Sequence, residues 1–398
     1  MSRLHFPLRS EDYRAPGELT GLAGKGLAVG ALAAAATVAG AFINTPQFFQ
    51  SYLVGWLLWF MVASGCLGLL LLHHLSGGLW GLMIRRSMEA GARTLPVVGL
   101  FALPLFFGLG HLYAWADHAK VEADHLLHHK ALYLNPAFFI GRSVFAIALF
   151  SFFAYRLTRL SESQDRDGDA GKAVAMRRFS AVGLLVFVIV SSFLGFDWLM
   201  SLDAHYFSSL YGAIFLVGQA LGGLTFLILM TRFLSRHEPM AEVYSKKNFH
   251  DYGKLLFAFV MFFTYLGISQ FIITYQGNLP EEVVWYQERF HGAWGYVAAG
   301  LLIFHFFFPF LILLSRSVKK NSQALAAVAA FVLFMRWVDL IWQSRPSLAH
   351  EGFALHWLDV AAPLAVGGLW LFVYARELKG RTLLPVNDPF LEEALGHD

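Results

Sequence analysis

An all-α, multi-pass membrane protein is predicted by three features of the sequence: its bulk composition, the length of its apolar runs and the alternation of its positive charges. Hydrophobic residues make up 57% of the 398 and charged residues 14%. Apolar runs of about 20 residues, the length that crosses the hydrocarbon of a bilayer as helix, recur ten times. They cover 22–43, 52–75, 95–115, 137–157, 179–197, 206–230, 255–275, 293–314, 324–343 and 355–374. Runs this long and uninterrupted lack the alternation of membrane barrel strands.

Positive charge sorts the connections between these spans. Of the 30 Lys and Arg, 24 lie in the N-terminal segment, the even-numbered connections and the C-terminal tail. Four lie in the odd-numbered connections, and Arg142 and Arg336 stand inside spans. The positive-inside rule therefore predicts both termini in the cytoplasm. The opening stretch MSRLHFPLRSEDYRAPG lacks the basic, apolar, small-residue order of a cleaved signal peptide.

The connections leave no room for a soluble domain, so residues 1–398 read as one membrane domain. The stretch SGGLWGLMIRRSMEAGART mixes aromatic, apolar and basic residues and is expected along the inner membrane surface. SESQDRDGDAGK reads as a flexible linker. The tail LLPVNDPFLEEALGHD reads as exposed and free to dock a partner. Cys66, the only cysteine, excludes an internal disulfide, a Cys-ligated iron–sulfur cluster and covalent haem attachment. There is no Walker A or dinucleotide-binding glycine pattern. The net charge of +3 follows from the inside-positive loops and predicts no nucleic-acid partner.

An internal repeat is visible. Asp197 ends the fifth span 19 residues after Arg178, and Asp339 stands in the ninth span 19 residues after Lys320. His111 in FGLGHL of the third span matches Gln270 in LGISQF of the seventh. Spans two to five (52–204) and six to nine (205–344) thus read as two tandem four-helix bundles, flanked by the first and last helices. Each has an even number of crossings, so the repeat is parallel.

A carboxylate at hydrocarbon depth costs several kcal/mol unless it is paired, hydrated or used for proton traffic. Asp197, Asp203 and His205 in and after FDWLMSLD, Arg336 and Asp339 in RWVDLIW, and Glu281 and Glu282 in YQGNLPEEVVWYQER are therefore the candidates for proton transfer. His111, Arg142, Asp197 and Gln270 are the candidates for a quinone pocket, with walls from Trp198, Tyr206, Phe207, Trp115 and Tyr113. Arg336 and Asp339, three apart, share a helix face, and Asp359 can join either set. The rival reading makes Arg336–Asp339 an intrahelical ion pair, Asp197 a hydrated helix end, Glu281 and Glu282 part of a solvated loop, and His205 a residue of the aromatic interface. His118, His125, His128 and His129 crowd one outer loop without the carboxylate or cysteine that would complete a metal site, and none is expected. His73 or His74 with His305 is the only pairing that could hold a b-type haem, and packed histidines are the simpler reading.

FDWLMSLD, YQGNLPEEVVWY, HFFFPFLILLSR and RWVDLIW together resemble the smaller of the two large membrane subunits of bacterial alternative complex III, its quinone-binding subunit 2. That complex is a quinol:cytochrome c oxidoreductase, and the subunit is similar to NrfD-like membrane subunits of polysulfide-reductase-type enzymes. The resemblance spans nearly the whole chain. It implies two four-helix bundles and a subunit that binds no haem, iron–sulfur cluster or metal. It also implies an outward-facing quinone site, for menaquinol or ubiquinol, in the respiratory electron-transport chain. The partners implied are a second NrfD-like membrane subunit, extracytoplasmic haem c and iron–sulfur subunits, membrane lipids and a terminal oxidase. The rival readings are a non-catalytic scaffold within the same complex and a secondary transporter with a midplane site.

Overall fold

The computed structural model describes residues 10–348 and 353–396. The first nine residues of the opening stretch, and the last two of the tail, lie outside the described residues. Among the described residues ten helices are long and apolar enough to cross a membrane, one for each predicted span. They are α1 (Glu18–Ile43), α2 (Thr45–Ser76), α3 (Arg85–Phe107), α4 (Pro136–Asp167), α5 (Gly171–Trp198), α6 (Leu210–Leu234), α7 (Lys246–Gly277), α8 (Gly292–Leu314), α9 (Ser322–Ser344) and α10 (Trp357–Lys379). The described residues form no sheet, only an isolated antiparallel bridge between Arg14 and Thr382 that places both terminal segments on one face. That terminal face carries the even-numbered connections, and the opposite face carries the odd-numbered ones.

Local chemistry sets several helix ends. Asn44, Asn135 and Asn321 cap α2, α4 and α9 by accepting a backbone N–H from the first turn, and Pro46 and Pro136 sit where the missing N–H costs nothing. α4 stops at Gly168, whose φ of 67° is a left-handed conformation that glycine adopts freely.

α2 and α6 are the two most buried helices and form the centre. Around them contacts run in two rings: α2 with α3, α3 with α4, α4 with α5 and α5 with α2; then α6 with α7, α7 with α8, α8 with α9 and α9 with α6. α10 packs on α2, and α1 packs on α10. The close crossings use glycine. A Cβ on Gly65 would stand 1.9 Å from the Gln219 carbonyl oxygen, and one on Gly223 would stand 2.7 Å from the Gly65 carbonyl carbon. Gly30 of α1 and Gly368 of α10 meet in the same way. Lipid tails solvate an apolar helix as well as another helix does, so close van der Waals packing between small residues becomes the main source of attraction.

Four expectations are corrected. The stretch 85–93 does not lie along the surface: it is the buried first part of α3, which continues past Thr94 and shifts at Ala102, with Pro96 and Pro104 opening the two later pieces. Arg85, Arg86 and Glu89 are fully buried there. Glu89 takes Arg85 Nε at 3.2 Å and Arg86 at 2.6 Å, while Asp388 and Asp165 take the remaining charge. The presumed linker is mostly helix, because α4 runs on to Asp167. The tail is not free either: Leu383, Leu384 and Leu391 are buried, and Asp388 binds Arg85 at 2.6 Å. The third span also ends earlier than expected, at Phe107, so His111 stands on a separate turn, Leu109–Leu112.

Because the Gly65 crossing leaves no room for a methyl group, Gly65→Ala is expected to destabilise the protein by about 1–3 kcal/mol through forced separation of α2 and α6. Gly24→Ala, with open space around it, should leave the thermal unfolding midpoint in detergent unchanged. Equal midpoints for the two variants would show that the crossing can relax.

Candidate functional site

Near the opposite face the ring α2–α5 is closed by aromatic packing. Trp198 is fully buried against Trp56, Phe139 and Phe106, with ring centroids 4.4, 4.8 and 6.0 Å away. Tyr113 donates to the Trp198 carbonyl at 3.0 Å, and Trp115 stacks on Tyr113 and Phe139. Beside this plug Arg142 of α4 grips Asp197 of α5 with both ends of its fork, Nε to Oδ2 at 2.8 Å and Nη2 to Oδ1 at 2.9 Å. Its remaining Nη1 donates to the Tyr133 carbonyl at 2.9 Å, and the guanidinium lies over the Tyr133 and Phe138 rings. Both carboxylate oxygens are thus claimed. His111 does not join them: it is exposed and stacks on Phe49 at 5.2 Å.

The second ring, α6–α9, encloses a cavity of about 550 Å³. Its roof is the short helix Pro280–Phe290, whose Trp285, Tyr286 and Phe290 face inward. Arg289 fastens this roof to the end of α9, donating to the Gln343 carbonyl at 2.7 Å and the Ser347 hydroxyl at 2.8 Å, with its guanidinium carbon 3.6 Å from the Trp285 ring centre. Burial draws the Arg289 guanidinium down to about 10, so it stays charged at neutral pH.

Two short polar strings border the cavity. In one, Tyr211 donates to Gln343 at 2.9 Å, and Gln343 donates to Asp339 Oδ2 at 2.6 Å. Arg336 also donates to Oδ2, at 2.5 Å, while its other amino group meets Met61 of α2. Asp339 Oδ1 accepts no hydrogen bond from the described residues, and Asp339 lines the cavity. In the other string Ser208 bonds Gln270, which donates to the Tyr206 hydroxyl at 2.9 Å. Tyr206 stacks on Trp285 at 4.7 Å, and burial pushes its phenol above the ordinary range.

The cavity reaches the flank of the bundle. Ile268 and Phe271 of α7 and Leu302 of α8 both line it and face outward. α7 and α8 pack through their halves near the terminal face, where Phe257 stacks on Phe310 at 5.4 Å, and part toward the opposite face. In a bilayer that flank faces hydrocarbon.

The remaining candidates are dispersed. Asp203 accepts the His205 backbone N–H, and the exposed His205 ring meets Asp124 at 2.8 Å. Glu281 and Glu282 occupy the first turn of the roof helix, where carboxylates complement the helix dipole. Phe207 is exposed, beside Lys130. No group of His, Cys, Asp or Glu among the described residues could hold a metal ion, and His118 meets only Glu122. His73 packs on Trp80 while His305 lines the cavity, so the two do not face each other as haem ligands. Asp359 joins neither set: it forms a third cluster with Arg345 at 2.8 Å, Ser51 at 2.6 Å and Gln47 at 3.3 Å. Arg289 and Arg345 were missed as structural residues, and their only sequence signal was that each is the sole Lys or Arg of its connection.

Compared with models of known protein families the chain matches none, and no curated protein is significantly similar to it.

Breaking a buried ion pair leaves one charge stranded, whereas removing both partners does not. Asp197→Asn alone is therefore expected to cost about 3–5 kcal/mol, and the double replacement Asp197→Leu with Arg142→Met much less. Unfolding of the two variants in detergent checks this. Equal losses would mean that the pair contributes through packing alone.

Proposed function

We propose that this protein is a membrane subunit of a respiratory quinol:cytochrome c oxidoreductase of the bacterial cytoplasmic membrane, and that its α6–α9 cavity binds the quinone. The motif resemblance to alternative complex III supplies the reaction class, and the positive-inside rule puts the opposite face outside the cell. The observation that carries the reading is the cavity itself. Its volume falls within the ~300–1,000 Å³ usual for small-molecule sites, and its walls are aromatic with a few convergent polar groups. It opens toward lipid, where quinones are dissolved.

Quinol oxidation releases two electrons and two protons. Asp339 Oδ1 is placed to accept a proton from a ring hydroxyl, while Arg336 and Gln343 hold Oδ2 and fix the carboxylate. Released protons leave on the opposite face, where Glu281, Glu282, Asp203 and His205 lie in the loops. The electrons pass to haem c and iron–sulfur centres of extracytoplasmic partner subunits, with a second NrfD-like subunit alongside in the membrane. Menaquinol and ubiquinol share the ring oxygens on which this chemistry depends.

One observation favours a scaffold reading instead. The Arg142–Asp197 and Arg345–Asp359 pairs satisfy each other fully and would fix helix register without any ligand. Turnover of quinol with cytochrome c, measured on the purified intact complex with its subunit content checked, separates the two. Asp339→Asn is expected to lower turnover by about 10²-fold in a fully assembled complex, and Asp197→Asn to leave turnover per assembled complex unchanged. Normal turnover of Asp339→Asn would make this chain a scaffold.

A further inference from the structure

α8 is not a regular helix. Residues Leu301–Phe307 form a π-helical stretch, in which the Phe308 N–H reaches back five residues to the Ile303 carbonyl. The cause is local: Pro309 has no N–H to give the His305 carbonyl, and its ring would collide with the preceding turn. The wide turn steps past the missing donor. Such turns also change which side chains face inward, and they are frequent at functional sites.

His305 stands in this stretch. It is 6% exposed, lines the cavity, and its Nε2 has no hydrogen-bond partner. Its ring lies 5.3 Å from the Phe263 ring, and the Arg336 guanidinium lies 4.5 Å from that same ring. The imidazole and the Arg336–Asp339 pair therefore border one aromatic surface. Nε2 is itself shielded from the cavity; a ring nitrogen buried without a partner is costly, and a turn of the imidazole that brings it to a ligand atom removes the cost.

We propose that His305 is a ligand-binding residue and that the cavity is built for a flat ring with oxygens at two ends, one held by Asp339 and Gln343 and the other by His305. This rests on the quinone reading above and narrows it to the far oxygen. A neutral imidazole carries one donor and one acceptor, so it can donate to the carbonyl of a quinone or accept from the hydroxyl of a quinol. A single residue thus serves both redox states without changing its charge, which suits a group enclosed by hydrocarbon. The apolar tail would leave between α7 and α8 past Ile268, Phe271 and Leu302.

The test uses the purified intact complex and a short-tailed benzoquinone, with binding read from quenching of tryptophan fluorescence; Trp285 and Trp342 line the cavity. Saturable quenching is expected, weakened about tenfold or more by His305→Leu, the loss of one ligand hydrogen bond, and largely kept by His305→Gln, which retains a donor and an acceptor. Because Nε2 has no protein partner, the His305→Leu complex should keep its subunit content and melting point. A ring with one oxygen, offered as the matching phenol, should bind wild type and His305→Leu alike. Should Asp339→Asn weaken the quinone while His305→Leu does not, the role of His305 is overturned and the quinone reading stands. Quenching that is absent in the wild type, or indifferent to all three substitutions, overturns both.

Discussion

The contact on which the rest of the structure depends is the crossing of α2 and α6, where Gly65 and Gly223 let two backbones touch. Each helix belongs to a different ring, and this seam is the most extensive contact between the two halves, beside those of α5 with α6 and of α9 with α2. α6 uses the absence of side chains twice. Gly223 admits α2, and five residues earlier, on another face, Gly218 leaves space for the Arg336 guanidinium, which a Cβ there would approach to 2.7 Å. Arg336 can therefore cross to Met61 and still hold Asp339. A buried charge pair at the edge of the cavity is thus a consequence of how closely the helices pack at the centre.

Much of this fold was legible in the sequence because the bilayer imposes its rules residue by residue. Hydropathy marks the spans, and the sorting of Lys and Arg marks the alternation of faces. What was not legible depends on partners distant in sequence. RRSMEAGAR reads as a surface segment because nothing nearby announces Asp165 and Asp388, and Asp388 is 303 residues from Arg85. The same ignorance made the tail look free. Pairing brings both into the interior: the tail supplies a carboxylate, α3 supplies two guanidinium groups, and neither could be buried alone.

The candidate site was legible in part. The two aspartates were found from their spacing, but the spacing could not show that they meet opposite surroundings. Arg142 reaches Asp197 from another helix and claims both oxygens; Arg336 reaches Asp339 from its own helix and claims only one. The difference is written at neighbouring positions. Leu194 stands three residues before Asp197, where Arg336 stands before Asp339, and Trp198 follows Asp197, where Leu340 follows Asp339. Gln270 proved to border the cavity, whereas its counterpart by sequence match, His111, faces outward because α3 ends early at the Gly108 contact with Phe49.

The two rings therefore solve one packing problem in two ways. Four helices around a common axis leave a volume between them that must be filled by side chains or by something else. In α2–α5, Trp56, Phe106, Phe139 and Trp198 fill it, and a bidentate ion pair seals its edge. In α6–α9 the aromatic residues Tyr206, Trp285 and Trp342 stand at the wall and roof, leaving the middle open. Here the π-turn puts an imidazole at the wall, and the carboxylate keeps an oxygen free. The cavity thus combines a carboxylate oxygen without a hydrogen bond from the described residues and an imidazole, the carboxylate's Arg336 partner and the imidazole both beside the Phe263 ring. The quinone proposed above, apolar around its rim and polar at its ends, matches that arrangement.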